Sequence, residues 1–486
     1  MNNLPSLLGY LYIFLPFTIF VLTWLNYYFA LPMVIFVVLS VYITIKKHTF
    51  YLSLKQDYKK ILVIIVIIFC WVFLSGISKR SIFQNNDSYV RNGILEVLVN
   101  DSWPVVKQEN NSLIMMIYYL GFWLPAALVG KVFGISAAYF FLYVWAALGV
   151  FITYLLISNI LGEVKIWPLL LFIFFSGLDI IGVFVRGIYN PSSLQNLSLI
   201  SHIEWWSGKQ FSSFTTQLFW VFNQAIPAWI ATLLILNQKD NKSVIFIMGS
   251  LLIQSTFGFV GLIPFSIYVS LRNVCFDKNT SFSKNFLIYC KSLLSFENII
   301  GGGISGIISF LYLLANYSSS SFHSVSIGDS NVSFIVLAVR YCAFIALEVL
   351  VYYVILFPYQ KKNPLFYLSF FVLLICPFIK VGTSEDFCMR ASIPSLVVLY
   401  LMVAETIKQM KREKKRFSFV ILLFIILLGS ITPFFEINRT VYNTFISLKN
   451  GDDPSQGVAT KDEIVSLNNF GGEIKYKYQK VLFNLK

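Results

Sequence analysis

Apolar runs long enough to cross a lipid bilayer recur from one end of this 486-residue chain to the other. A transmembrane helix needs about 17–25 predominantly apolar residues, because the hydrocarbon core of a bilayer is about 30 Å thick. Hydrophobic residues make up 57% of the chain and charged residues only 12%. Soluble domains carry about a quarter charged residues. The sequence therefore predicts an all-α polytopic integral membrane protein.

Basic residues in short loops predict how the spans are oriented, because Lys and Arg are concentrated on the cytoplasmic side of a membrane. The loop 46–60 and the run 408–416 (KQMKREKKR) are the most basic stretches and are expected inside. This orientation places the N-terminus in the cytoplasm and the C-terminus outside. We therefore attribute the net charge of +14 to topology and expect no nucleic-acid partner.

About thirteen spans are expected, with an even number of crossings between the two cytoplasmic loops. The predicted spans are 7–27, 29–45, 61–78, 138–158, 165–184, 218–237, 243–256, 257–271, 299–316, 333–357, 364–380, 390–407 and 418–433. The loops expected outside are 79–112, 186–217, 317–332 and 380–390.

The segment 113–133 is ambiguous, because it is long enough to span but contains Gly121, Pro125 and Gly130. We interpret it as helices at the outer interface, where Tyr and Trp side chains are favoured. If it spans, and 243–271 crosses only once, the loop 186–217 moves inside. The predicted division of the chain is a transmembrane hairpin with its basic loop (1–60), a catalytic module (61–271), a second transmembrane module (272–435) and a short extracytoplasmic tail (436–486).

The polar stretch 83–104, FQNNDSYVRNGILEVLVNDSWP, holds the first group of candidate functional residues. Asp87 follows an expected span directly and has Tyr89 and Arg91 nearby. Ionisable groups at membrane depth are costly and indicate a functional site by default. Asp87 is our candidate general base and Arg91 a candidate substrate-binding residue. An i,i+4 ion pair of Asp87 with Arg91, or a helix N-cap at Asp87, is the structural alternative.

Two further outer loops are expected to contribute to the same pocket. Arginine binds phosphate in a bidentate manner, and Trp rings provide flat apolar faces for a sugar or a polyprenyl chain. A single carboxylate suffices as the base, because phosphate is a good leaving group, and this favours an inverting displacement. The candidate substrate-binding residues are Arg91, Tyr89, Arg186, His202, Glu204, Trp205, Lys209, Gln210, Asn223, Gln224, Asp386 and Arg390.

Several of these residues also have purely structural interpretations. Asp386 and Arg390 lie four apart and suit an ion pair at a helix start. Asn223 and Gln224 suit interhelical hydrogen bonding, although Pro227 nearby favours a break that opens to the pocket. The three histidines show no zinc-binding spacing, so no cofactor is expected and a divalent metal is not supported.

The chain resembles the GT-C superfamily of membrane glycosyltransferases that use polyprenyl-phosphate sugars. In that superfamily a span exits into a first outer loop with an essential Asp, followed by interface helices and a return span. Here 61–78 would be the exit span and Asp87 the loop carboxylate. The stretches 118–134, YYLGFWLPAALVGKVFG, and 169–182, LLLFIFFSGLDIIG, are similar to the segments that follow. The paired acids of some members are absent, and a hairpin precedes the usual first span.

The resemblance implies transfer of a sugar from undecaprenyl phosphate, or a similar carrier, to a glycan, lipid or protein acceptor of the cell envelope. It also implies a bacterial inner membrane with the active site on the outer face. The alternatives are a transporter or flippase for a lipid-linked sugar or another solute, and an O-antigen polymerase or ligase. A transporter is expected to show charged or broken spans at the bilayer midplane. A polymerase or ligase is expected to show large outer loops rich in Arg and His.

Overall fold

The computed structural model describes residues 4–46, 58–79, 81–109, 112–195, 197–274, 281–314, 334–381, 386–466 and 470–485. Most of the predicted basic loop 46–60, the whole predicted loop 317–332, and Glu385 in the last predicted outer loop lie outside these residues.

The described residues are mainly helical. The α-helices are α1 Leu4–Trp24, α2 Tyr27–Lys46, α3 Tyr58–Leu74, α4 Ser88–Asn100, α5 Leu124–Phe133, α6 Ile135–Leu161, α7 Ile166–Phe174, α8 Asp179–Tyr189, α9 Ser192–Gln195, α10 Phe214–Leu236, α11 Val244–Leu252, α12 Thr256–Arg272, α13 Phe282–Leu293, α14 Gly303–Leu314, α15 Phe334–Ile345, α16 Val351–Gln360, α17 Pro364–Ile375, α18 Asp386–Ala391, α19 Ile393–Arg412, α20 Arg416–Gly429, α21 Ile431–Asn450, α22 Lys461–Ile464 and α23 Lys477–Leu482. Three 3₁₀ turns (Leu120–Phe122, Ile203–Trp206, Cys376–Phe378) and two π-helical turns (Glu297–Gly302, Ala346–Leu350) complete the helical elements.

Within the described residues, nine helical segments are long and apolar enough to cross a membrane, which agrees with an all-α membrane protein. They are Leu4–Trp24, Tyr27–Lys46, Ile135–Leu161, Ile166–Tyr189, Phe214–Leu236, Glu297–Leu314, Ile335–Gln360, Ile393–Arg412 and Arg416–Asn450. The other predicted spans correspond to the shorter helices α3, α11, α12 and α17. Of these, α11 has only nine residues.

A small antiparallel sheet, ordered β1-β2-β3, joins the first polar loop to the end of the chain. Its strands are β1 Val106–Glu109, β2 Ser112–Met116 and β3 Gly471–Glu473. The interpretation of 113–133 as helices is therefore wrong over β2, because tertiary pairing with β3 satisfies the backbone of this apolar stretch. The rest of that segment forms a 3₁₀ turn and the ten-residue α5, which is too short to span.

The C-terminal region packs on the first polar loop. The tail predicted from residue 436 starts later than expected, because α21 continues to Asn450. Beyond it, the backbone N–H of Ala459 donates to the Tyr89 carbonyl at 3.1 Å, and the N–H of Ile474 donates to the Leu113 carbonyl at 2.9 Å. Ala459 and Ile474 are buried. The tail is too short to form a core of its own, and it buries its apolar residues against the loop instead.

Three spans are interrupted near the first and second polar loops. The helices α7 and α8 are separated by the non-helical residues 175–178. The segment Ile335–Gln360 contains the π-helical turn Ala346–Leu350. Helix α10 is distorted at Val221 (φ −141°, ψ 35°) but continues through Pro227, so the expected break at that proline is wrong. Such irregularities are tolerated at membrane depth only where other protein groups satisfy the backbone.

A glycine in α4 permits the close approach of the tail. A Cβ on Gly93 would lie 2.5 Å from the Ala459 carbonyl oxygen and 2.6 Å from Ile464 Cδ1. We expect Gly93→Val to displace the tail and to destabilise the protein by about 1–3 kcal/mol, because overpacking forces neighbouring groups apart. Hydrogen exchange at Ala459 and Ile474 should accelerate.

The control for this prediction is Asn100→Val, which places the same β-branched residue at an exposed position of α4. Unchanged exchange in Gly93→Val would show that the tail does not depend on this contact.

Candidate functional site

A cavity of about 390 Å³ lies where three of the predicted outer loops meet, and we name it the three-loop cavity. It is lined by Asp87, His202, Trp205, Gly208, Gln210, Trp220, Val221, Asp386, Met389 and Arg390. Asp87 precedes α4, the residues from His202 to Gln210 lie before α10, and Asp386 and Arg390 belong to α18. Six of the candidate residues from the sequence therefore share one cavity.

Two matched ion pairs form the charged side of this cavity. Arg91 Nη2 lies 2.8 Å from Asp87 Oδ2, and Arg390 Nη2 lies 3.0 Å from Asp386 Oδ2. Both pairs have the i,i+4 spacing that was the structural alternative for these residues. Asp87 occupies the N-cap position of α4, as the second structural alternative had it, but its side chain makes no capping hydrogen bond. In both pairs the arginine is buried or nearly so, while the acid is about half exposed to the cavity.

The two arginines retain hydrogen-bonding capacity next to the cavity. Arg91 Nη1 and Arg390 Nε are buried and have no partner among the described residues. The Tyr119 hydroxyl is hydrogen-bonded to Arg390. Burial raises the pKa of Tyr118 to about 12, so this nearby phenol remains neutral. Buried guanidinium groups with unused N–H donors suit an anionic oxygen ligand.

A hydrogen-bonded network on the other side of the cavity surrounds His202. His202 Nδ1 lies 2.5 Å from Glu436 Oε1. The same carboxylate accepts two bonds from Arg439, at 3.0 and 2.5 Å, and one from Trp220 Nε1 at 3.0 Å. Arg439 also donates to Asn85 Oδ1 at 2.9 Å, which connects α21 to the first polar loop. The network fixes the imidazole, and its Nε2 is buried and has no partner among the described residues.

Aromatic rings flank this histidine. The ring centroids of Trp205 and Trp220 lie 4.4 and 5.2 Å from that of His202, and the two indoles are 6.0 Å apart. Trp205 is half exposed and donates from Nε1 to Gln210 Oε1 at 3.0 Å. The cavity thus has an ionic side and an aromatic side. This combination suits a ligand with an anionic group and a flat apolar or sugar moiety.

Glu204 supports the cavity wall from behind. It is buried and accepts hydrogen bonds from Gln210 Nε2 at 2.6 Å, Ser213 N at 2.9 Å and Thr216 Oγ1 at 2.6 Å. Burial and the neighbouring negative charge of Asp179 raise the pKa of Glu204 to about 7. Glu204 therefore holds the loop in place, and its side chain is not part of the cavity lining.

The remaining candidate residues lie outside the cavity lining. Tyr89 faces the tail, where its hydroxyl contacts Glu463 at 3.1 Å. Arg186 Nη1 donates to the Trp205 carbonyl at 3.2 Å, and the Lys209 backbone N–H donates to Ser207 Oγ at 3.1 Å. Asn223 and Gln224 are fully buried in α10, so their expected place in the pocket is wrong. They lie about one helical turn further along α10 than the lining residues Trp220 and Val221, within the helical bundle.

Sequence reasoning missed Glu436, Arg439 and Trp220. The sequence ITPFFEINRT at 431–440 places a Glu and an Arg three residues apart directly after an apolar run, which is the signal that would have identified them. Its apolar start is instead expected to end a span, with the tail beginning at residue 436. Within the described ranges, no group of three or more His, Cys, Asp and Glu side chains is arranged to bind a metal ion.

The His202–Glu436 interaction should make stability depend on pH. Burial by itself lowers the pKa of His202, but the hydrogen bond to Glu436 and the charges of Glu436 and Glu204 outweigh it, so the net pKa is raised. The stabilisation is therefore fully present below the unfolded-state pKa of about 6.5 and is lost as pH rises through the higher folded-state value.

We expect His202→Gln to destabilise the protein by about 1.5–3 kcal/mol at acidic pH, as for a hydrogen bond to a charged group, and by less at alkaline pH. Unfolding in detergent at several pH values measures this difference. Lys209→Gln in the same loop is the control. A difference that stays constant across pH would contradict the assignment.

Comparison of the chain with protein-family models, with curated proteins and with solved structures finds no match.

Proposed function

We propose that this protein is an inverting membrane glycosyltransferase that transfers a sugar from a polyprenyl-phosphate carrier to a cell-envelope acceptor. The observation that carries the proposal is the three-loop cavity, in which carboxylates, a nearly buried arginine and two tryptophans face one space. A phosphate needs cationic donors, a sugar ring stacks on aromatic faces, and the attacking hydroxyl needs a base. The cavity offers a group for each of these tasks.

The proposed reaction is a single displacement at the anomeric carbon. The acceptor oxygen forms a bond to that carbon while the bond to the phosphate oxygen breaks. The phosphate leaves with the electron pair, and Asp87 accepts the proton of the attacking hydroxyl. Arg390, with Arg91 behind it, stabilises the negative charge on the phosphate. Trp205 and Trp220 hold the sugar.

The proposal extends to the setting of the site. We propose a GT-C architecture with about thirteen spans in a bacterial inner membrane, with the N-terminus in the cytoplasm and the cavity on the outer face. An undecaprenyl-phosphate-like carrier is the donor, and a glycan, lipid or protein is the acceptor. Many apolar side chains of α2, α3 and α20 are exposed. These exposed faces support contact with lipid, because proteins in water rarely expose apolar patches of this size.

The test is sugar transfer by the purified protein. Wild-type protein in detergent or nanodiscs is supplied with radiolabelled polyprenyl-phosphate sugars and an envelope fraction as acceptor, with and without chelator. Transfer of label to the acceptor supports the proposal. If no donor supports transfer, and labelled lipid-linked sugar crosses a reconstituted bilayer, the protein is a transporter and not a glycosyltransferase.

A transporter or flippase is the second candidate, and the interrupted span formed by α7 and α8 favours it. Transporters commonly bind ions or substrates where a transmembrane helix is broken near the bilayer midplane. Against this candidate, Asp87, Asp386 and Arg390 line a cavity between loops, and α7 and α8 provide none of the residues that line it.

The anion-binding role of Arg390 gives a specific prediction. We expect Arg390→Gln to weaken binding of polyprenyl phosphate by about 10- to 150-fold, because a charged hydrogen bond contributes about 1.5–3 kcal/mol. Equilibrium binding of the labelled carrier lipid measures the effect. Arg272→Gln, at the end of α12 and outside the cavity, is the control. Equal affinities of wild type and Arg390→Gln for the carrier lipid would show that Arg390 does not bind the phosphate.

A further inference from the structure

Two carboxyl groups meet inside the membrane-spanning part of the protein, outside the three-loop cavity. Asp179 lies at the first position of α8, and Glu348 lies in the π-helical turn of the segment Ile335–Gln360. Their side chains lie within reach of a shared hydrogen bond and are 1% and 3% exposed. Neither forms an ion pair with a basic side chain of the described residues. Such residues are expensive within a membrane and indicate a function.

The other contacts of the pair are incomplete. Asp179 Oδ2 accepts hydrogen bonds from Ser176 Oγ at 3.1 Å and from Thr432 Oγ1 at 2.8 Å. Glu348 Oε1 accepts one from Trp206 Nε1 at 2.9 Å. Apart from the facing carboxyl of Asp179, no group of the described residues is a hydrogen-bond partner of Glu348 Oε2. A buried carboxylate oxygen without a donor carries a large desolvation cost unless a cation neutralises it.

The unpartnered oxygen lies at the wall of a small cavity. A Cβ on Gly177 would stand 2.0 Å from Glu348 Oε2, so only glycine allows the carboxyl group to approach here. The cavity beside it has a volume of about 10 Å³, with Ser176 and Ser212 also in its wall. This space accommodates at most about one water molecule. It is too small for an organic ligand but sufficient for proton exchange with the pair.

Both helices that carry the pair are irregular at this point. The non-helical residues 175–178 interrupt the span before Asp179, and the backbone N–H of Leu178 donates to the Leu347 carbonyl in the π-helical turn at 3.1 Å. Broken helices and π-helical turns in membrane proteins recur at ion and proton sites. The two irregularities in contact position the two acids directly opposite each other.

We propose that Asp179 and Glu348 form a binding site for one exchangeable proton. Two carboxylates cannot hydrogen-bond to each other unless one of them carries a proton, and two negative charges at this distance repel. The titratable groups that face the pair are Glu204 and His202 from the turn before α10 and Tyr352 from α16. A negative charge on Glu204 disfavours a second negative charge on the pair, and a positive charge on His202 favours it.

The site is linked physically to the three-loop cavity. Trp206, which donates to Glu348, belongs to the 3₁₀ turn Ile203–Trp206, and this turn also carries Trp205 and Glu204. Loss of the proton separates the two carboxylates and displaces the turn. Proton occupancy and ligand binding in the cavity are therefore coupled. The proton site itself does not depend on which ligand the cavity binds.

Infrared spectroscopy of the purified full-length protein tests the proposal directly. Wild type should show the C=O stretch of a protonated, membrane-buried carboxylic acid that persists above neutral pH. The band should disappear in both Asp179→Asn and Glu348→Gln. Glu297→Gln is the matched control, because Glu297 is equally buried and also lies in a π-helical turn. Absence of the band in wild type, or its persistence in both variants, would overturn the proposal.

The pH dependence of stability gives a second readout. In Glu348→Gln the amide N–H replaces the shared proton, so the pair remains intact at every pH. From neutral to alkaline pH, the unfolding constant of wild type should rise by up to about tenfold per pH unit, and that of Glu348→Gln should rise less. If Glu348→Gln does not fold, Asp179→Asn serves in its place, because it puts the amide on the other residue of the pair. Stabilisation of wild type, but not of the variants, by sodium chloride over choline chloride would mean that the site binds sodium instead.

Discussion

Replacement of Asp87 by Asn is expected to reduce sugar transfer by about 10²- to 10⁴-fold, the usual contribution of a positioned general base. The amide oxygen of Asn can still accept the hydrogen bond of Arg91, which in the wild type lies 2.8 Å from Asp87 Oδ2. The variant therefore keeps the neighbouring arginine in place and removes mainly the proton-accepting ability. Initial rates of transfer from a labelled polyprenyl-phosphate sugar measure the effect.

The control for Asp87→Asn is Asp386→Asn, since Asp386 forms an ion pair of the same i,i+4 spacing with Arg390 in the same cavity. If the two substitutions reduce transfer equally, the effect belongs to the ion pairs and not to a general base. If Asp87→Asn transfers at the wild-type rate, Asp87 is not the base, and the buried Nε2 of His202 becomes the next candidate.

Replacement of Glu436 by Ala is expected to destabilise the protein by about 3–5 kcal/mol, because removal of one partner from a buried ion pair leaves an uncompensated charge. Glu436 is 1% exposed and receives hydrogen bonds from His202, Arg439 and Trp220. Its loss leaves the Arg439 guanidinium, itself 8% exposed, with Asn85 as a remaining partner. Equilibrium unfolding in detergent measures the change.

The comparison for Glu436→Ala is Asp386→Ala, which removes an acid whose side chain is 41% exposed. Because Asp386 is half exposed, solvent screens its pairing with the nearly buried Arg390, so we expect the second variant to be more stable than the first. Equal destabilisation by the two substitutions would show that the network around His202 does not behave as a buried unit. Loss of ligand binding in Glu436→Ala without loss of stability would assign it a role in the cavity alone.

The helical membrane character of the chain could be predicted because it depends on local properties. Hydropathy over about 20 residues and the preference of basic residues for short loops need no knowledge of the tertiary structure. The two i,i+4 ion pairs, Asp87–Arg91 and Asp386–Arg390, were foreseeable for the same reason, since helical geometry alone brings residues four apart together. The predicted topology places the three polar loops on one side of the membrane, and the three-loop cavity agrees with their expected convergence.

The errors arose where long-range pairing overrides local pattern. The segment around Leu113–Met116 is as apolar as the helices of this chain. It is nevertheless a strand, because Gly471–Glu473 pairs with it. The polarity of Asn223 and Gln224 favours a place in the pocket, but both are buried one turn further along α10 than the lining residues Trp220 and Val221. Local polarity indicates that a residue needs a partner and does not indicate which partner it has.

The sequence by itself determined that this chain is an α-helical membrane protein and which polar loops carry its ionisable residues. Only the tertiary structure decided that His202 meets Glu436, which lies 234 residues away, and that Asp179 meets Glu348 at two helix irregularities. The physical reason is that hydropathy and helical period act over one or a few turns. Contacts between distant helices depend instead on side-chain shape, on glycines such as Gly177, and on where a helix is interrupted.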